Sequence, residues 1–276
     1  MVETSMVVRM LKVSAIAAGL GWSGTVAAGP YDTRRMDEIP DFSQTHPDLR
    51  LPNGGSHYCA PVAAANGLVW FARHRGYRRL LPVTGVTLSD RVAEVALTLG
   101  DETLMSTAPK GGTSIGRFLT GLDGYVAQQG YKARLHYRGV WRVERRFHDG
   151  DAPPDIDWMI RRFDRNEAVW ATVGFYQQSG RDEYSRIGGH FITMVGYGVD
   201  ARGRNNRKVV VFHDSDDGDD AARARHLKLS PMQDGWIVHR DGRRGKEAKG
   251  ILRIDEGYTL KPGVVALIDS AIAFSL

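Results

Sequence analysis

From Pro61 to about His74 apolar residues recur almost without a break. Val62, Ala65, Val69 and Ala72 mark one face, and Ala63, Leu68, Trp70 and Phe71 fill much of the remainder. This spacing predicts a helix, and a helix apolar on nearly every side is central and buried. Gly76 stands where it should stop. Ser89 or Asp90 can cap a second helix through Leu99, with Val92, Val95, Ala96 and Leu99 inward. Thr113 or Ser114 opens a third helix, whose stripe runs Ile115, Phe118, Leu119, Leu122, Tyr125 and Val126 to a stop at Gly130. A strand holding Leu135 and Tyr137 follows, and then a short helix carrying Ile156, Met159, Ile160 and Phe163.

Beyond residue 165 the period changes. Segments 168–175, 190–196, 208–213, 250–254 and 264–268 are short, rich in Val, Ile and aromatics, and separated by glycine or charged turns, which predicts strands. Helices first and strands afterwards indicate an α+β domain, its N-terminal helical part packed on one side of a mostly antiparallel sheet.

Ahead of these elements, residues 1–28 carry Arg9 and Lys12, an apolar run from Val13 to Leu20, and the small residues Val26-Ala27-Ala28. This is the pattern of a secretory signal peptide, with cleavage expected after Ala28. The apolar run is too short to span a bilayer, and no later stretch reaches the ~20 apolar residues a membrane helix needs. A soluble secreted or periplasmic protein is expected. Residues 29–276 then form one domain, of which 29–52, rich in Pro, Asp and Arg, is an irregular arm. Losing Glu3, Arg9 and Lys12 with the leader changes the formal charge from +5 to +4. The basic clusters at 142–146 and 240–249 are interrupted by acids and glycines and match no nucleic-acid module, so they read as solvated loops.

The chain has one cysteine. Cys59 follows Gly54-Gly55 and precedes Pro61, a residue suited to the first turn of a helix, so it should stand at a helix N-terminus. Such a position can bring a thiol pKa from about 8.5 down to about 3.5–7.5 and make it a nucleophile. An exported chain with a single thiol has no disulfide partner for it, which leaves reactivity or burial as its reason. His190 stands at the mouth of an apolar strand after Gly188-Gly189, and the strand 209–213 runs directly into Asp214. If the two strands form a hairpin across 200–207, His190 and Asp214 share one end of the sheet. The acid would then orient the imidazole and stabilise its protonated form.

The block Tyr58-Cys59-Ala60-Pro61-Val62-Ala63-Ala64-Ala65-Asn66, the block from Gly189 through Tyr197, and the strand closing His213-Asp214-Ser215 resemble the papain-like cysteine peptidases of the bacterial bacteriocin-processing, double-glycine type. The resemblance covers roughly residues 52–215. It implies a papain-like fold, with Cys59 as nucleophile, His190 as general base and later acid, and Asp214 as orienting residue. Three departures stand out. Ala60 replaces the family's usual Gly, and His213 and Ser215 flank the Asp in place of Asn and Pro. The family's oxyanion-binding Gln, six residues before the cysteine, is here Asn53, whose amide offers the same donor on a shorter side chain. Gln44 is a poorer alternative for that role.

The expected activity is hydrolysis of peptide or protein substrates at amide bonds, without a cofactor. Acyl transfer to an amine, as in transglutaminase-like relatives, would use the same triad. A non-catalytic peptide-binding module is a reading from another class, to which Asn53 and Ala60 lend support. The acidic run 214–220 lacks the spacing and closing glutamate of a calcium loop, and His57, His213, His226 and His239 have no metal-ligand spacing, so no metal is expected.

Overall fold

A computed structural model describes residues 31–107, 111–216, 224–239 and 243–276. The expected leader, Lys110 and positions 217–220 of the acidic run lie outside the described residues. Among the described residues five α-helices lie in the first part of the chain: α1 (Arg35–Glu38), α2 (Cys59–His74), α3 (Leu88–Gly100), α4 (Ile115–Gln128) and α5 (Ile156–Asp164). Between α4 and α5 lies β1 (Arg134–Gly139). The remaining strands are β2 (Ala168–Gln178), β3 (Glu183–Val199), β4 (Asn205–Asp214), β5 (Arg225–Pro231), β6 (Trp236–Val238), β7 (Arg244–Glu247), β8 (Leu252–Glu256) and β9 (Val264–Ser275).

The helix ends show why these residues form helices. At α2 the left-handed backbone of Gly76 lets the Tyr77 N–H reach back to the Phe71 carbonyl at 3.2 Å. The start of α3 lies a little before the expected caps, because Thr87 and Asp90 make a reciprocal capping box. Ser114 caps α4 by accepting from the Arg117 N–H.

The strands overturn the expected architecture. β3, β4, β5, β8, β9 and β2 pair in that cyclic order, antiparallel throughout, so that β2 joins β3 to β9 and closes the ring. The fold is therefore a closed six-stranded antiparallel β-barrel with extra strands and few helices, mostly β. It is not the papain-like α+β domain with helices on one side of a sheet. Two features made the difference. β5, which supplies partners to both β4 and β8, lies in a segment whose charged Arg225, His226 and Lys228 hide its alternation. β3 starts at Glu183, seven residues before the expected segment, and this length lets it serve β2, β4 and β6 in turn.

Alternate residues of the barrel strands feed different cores. Val169, Ala171, Ile192, Met194, Val210 and Phe212 fill the interior. Trp170, Phe191, Val195, Val211 and Phe274 face the cluster formed with α2, α3 and α4. Trp170 is the main anchor of that second face. It is fully buried, its Nε1–H donates to the Ala63 carbonyl of α2 at 2.8 Å, and its ring edge meets Phe118 of α4. Gly67 is required opposite it, because a Cβ there would press into the indole.

Removing this anchor should loosen the helices from the barrel. Trp170→Ala is expected to cost about 3–5 kcal/mol of unfolding free energy, the usual range for emptying a large buried aromatic site. Denaturant unfolding followed by far-UV circular dichroism measures it, and a loss below ~1 kcal/mol would contradict the anchoring role.

Candidate active site

Cys59 is the first residue of α2, two positions before Pro61. The chain approaches it through a tight reversal with left-handed backbone at Asn53, Gly54, Gly55 and His57. Gly55 is needed there, since any Cβ would collide with the Gln44 carbonyl. The reversal thus brings the thiol and Gln44 to one place. Cys59, Gln44, His190 and Asp216 all line a cavity of about 1080 Å³ between the helices and the end of the barrel.

The β3–β4 pairing supplies the other two groups. Ile192 lies opposite Asp214, so Asp214 and His190 project from the same face of the ladder at its end. His190 Nε2 meets Asp214 Oδ1 at 2.8 Å, with both side chains almost fully buried. Tyr258 donates to Asp214 Oδ2 at 2.6 Å, and Arg225 Nε lies 3.0 Å from the same oxygen. Asp214 therefore has an imidazole on one oxygen and a hydroxyl and a cation on the other. Sequence reasoning missed Tyr258 and Arg225, which come from distant segments that only barrel closure brings together.

These contacts set the protonation states. For His190 burial is the largest single influence and lowers the pKa. The hydrogen bond and charge of Asp214, with Asp216 behind it, outweigh burial and leave the pKa raised. For Asp214 burial again acts first, upward, but the hydrogen bond and charge of His190, the Tyr258 hydroxyl and the Asp216 N–H bring it down to about 2.

The thiol departs from the expectation of a low pKa. Burial, the largest influence, pushes Cys59 up to about 11, and the nearby carboxylates of Asp216 and Asp214 add to the rise. Hydrogen bonds from the Phe191 and Ala60 backbone N–H groups work in the opposite direction without overcoming it. The resting sulfur is a thiol, held beside the residue that follows His190.

Asn53 lies apart from this cavity. It is exposed in the turn before α2, with its carbonyl accepting the Ser56 N–H at 3.3 Å. Gln44, the poorer alternative for the oxyanion role, does line the cavity: it is buried at the wall, and its Nε2 donates to Asp216. Its backbone N–H bonds the Ser215 carbonyl at 2.7 Å, which fastens the N-terminal arm to the end of β4. The only signal for Gln44 in sequence was its residue type, because its distance from Cys59 depends on the reversal at 53–57.

Among the described residues no group of three or more His, Cys, Asp or Glu side chains is arranged to hold a metal ion. No described helix is long and apolar enough to cross a membrane. No protein-family model matches the chain, and no curated protein matches it.

The His190–Asp214 pair should be visible in stability and titration. A raised His190 pKa gives stability that is complete below the unfolded value near 6.5 and is lost as pH rises through the folded value. A depressed Asp214 pKa gives stability that is complete above the unfolded value near 3.8 and is lost as pH falls toward about 2. In Asp214→Asn burial is left with little opposition, so the His190 titration followed by NMR should move from above 6.5 to below it. An unchanged titration would show that the pair does not govern the imidazole.

Proposed function

We propose that the chain is a cysteine peptidase, hydrolysing amide bonds with Cys59 as nucleophile, His190 as proton carrier and Asp214 as orienting acid. The observation that carries this reading is the 2.8 Å contact between His190 Nε2 and Asp214 in the cavity that also exposes Cys59. With Nε2 engaged, Nδ1 is the ring nitrogen left to exchange a proton with the sulfur. On attack, Nδ1 takes the Sγ proton, a C–S bond forms, and the carbonyl electron pair moves to oxygen. The backbone N–H of Cys59 and the Gln44 amide are the donors for that oxyanion under this reading. Collapse breaks the C–N bond, and the proton on Nδ1 leaves with the amine. Water then gives a proton to His190 and attacks the thioester, and the sulfur recovers its proton as the C–S bond breaks. The leader-like N-terminus makes the proposed place of action the periplasm or the exterior, on peptide or protein substrates.

A non-catalytic role in binding peptides is the second reading, favoured by the thiol pushed up to about 11. Turnover separates the two. With a mixed peptide library read by mass spectrometry, wild-type cleavage should fall by at least about 10³-fold in Cys59→Ala and in His190→Ala. The two variants should lose about as much singly as together, because they act as a unit. Because the sulfur rests as a thiol and neutral imidazole is the base, kcat/KM should rise with pH through the His190 pKa, above 6.5. Cleavage that persists in Cys59→Ala, or none in the wild type, would overturn the peptidase reading.

A further inference from the structure

The cavity at Cys59 does not end at His190. It continues along Arg186 and Gly188 into a second recess of about 820 Å³, walled by residues 140–142, the middle of β3 and residues of β6 and β7. Trp141, Arg142, Arg186 and Gly188 line both spaces. β3 is open along this path. Its parallel pairing with β6 stops at Ser185, and its pairing with β4 begins at Ile192. On its other side a bulge against β2 skips Ile187, which is 60% exposed. An unpaired run of strand beside a cavity accepts an extended chain through main-chain hydrogen bonds.

The walls of this path are basic. Two of its cations are matched: Arg244 by Glu183, and Arg186 by Asp269, whose fully buried carboxylate holds Nε at 3.1 Å. Tyr176 donates to the same carboxylate, and the Arg186 guanidinium lies over Trp141 and against Gly189, so it is fixed at the junction of the two spaces. Arg142 and Lys246 are exposed and have no ion-pair partner among the described residues. No carboxylate is among the described residues lining the second recess. Among the described residues lining the first, the acid is Asp216, which is engaged by Gln44.

We propose that the second recess binds acidic side chains of an extended polypeptide, with Arg142 and Lys246 setting the preference and β3 residues 186–190 holding the main chain. The polypeptide occupant rests on the peptidase reading; the charge preference rests on the recess alone. The test is therefore a binding measurement on Cys59→Ala, which keeps the recess and removes the proposed nucleophile. Fluorescein-labelled extended peptides, identical except for a central block of Glu, Gln or Lys, are followed by anisotropy. The Glu peptide should bind at least about tenfold more tightly than the Gln peptide at low salt, and the advantage should shrink at roughly 0.5 M salt. Adding Arg142→Glu and Lys246→Glu should abolish the advantage and give the Lys peptide the tighter binding, a gain that a misfolded variant would not show. Equal binding of the three peptides, or a Glu preference that survives both reversals, overturns the inference. Selective binding of the Glu peptide with no cleavage by the wild type would sustain the acidic recess while the peptidase reading failed.

Discussion

The Ala63 carbonyl oxygen is the point at which the helical and barrel parts of the molecule are fixed to one another. It accepts from Trp170 Nε1 of β2 at 2.8 Å and from Thr193 Oγ1 of β3 at 3.2 Å. Cys59 lies four residues earlier, one turn along the same face of α2. Phe191 lies two residues before Thr193 on the same face of β3. One step down the helix and one along the strand therefore bring the thiol to the Phe191 N–H, and His190 is the next residue in the chain. A helix free to slide or rotate on the barrel would lose this registration.

Barrel closure supplies the second registration. Because β3 belongs to a closed ring, its pairing with β4 cannot slip by one residue without turning the interior set of Ile192, Met194, Val210 and Phe212 outward. The same register puts Asp214 opposite Ile192 and within reach of His190. Arg225 and Tyr258 arrive on other segments of the ring and meet the far oxygen of Asp214. The barrel interior is apolar along its length, and this hydrogen-bonded cluster closes one end of it. A buried carboxylate is tolerated there because each oxygen has a partner.

Much of this was legible in the chain where the physics is local. The all-round apolar run of α2, the stripe of α4 and the Val- and Ile-rich cores of β2, β4 and β9 announce themselves by period. Cys59, His190 and Asp214 were legible as a helix start, a strand mouth and a strand end. Closure was not, because it depends on β5, where Arg225, His226 and Lys228 blur the alternation of Leu227 and Leu229. Asn53, expected at the oxyanion, lies outside the cavity lining for a related reason. Counting back six residues assumes an extended approach to the helix, whereas the left-handed turn at 53–57 points the chain elsewhere and brings Gln44 to the cavity.

The thiol shows how competing magnitudes decide a site. A helix N-terminus stabilises a negative charge by about 0.3–1 kcal/mol when exposed and ~2 when partly buried. At about 1.4 kcal/mol per pKa unit that is at most ~1.5 units of depression. Burial of an uncompensated thiolate can raise its pKa by up to about 3–5 units, and two carboxylates stand nearby. The raised Cys59 pKa has the sign of this balance: burial and the two carboxylates outweigh the Phe191 and Ala60 N–H groups. Yet the same carboxylates hold His190 ready to carry positive charge. Moving one proton from sulfur to imidazole would replace a lone anion by a thiolate and a cation that Asp214 already supports, both on the wall of one cavity. The field that opposes ionisation of the sulfur alone thus favours the protonated imidazole, which under the proposed peptidase reading is the condition for activating the thiol by proton transfer at the moment of attack.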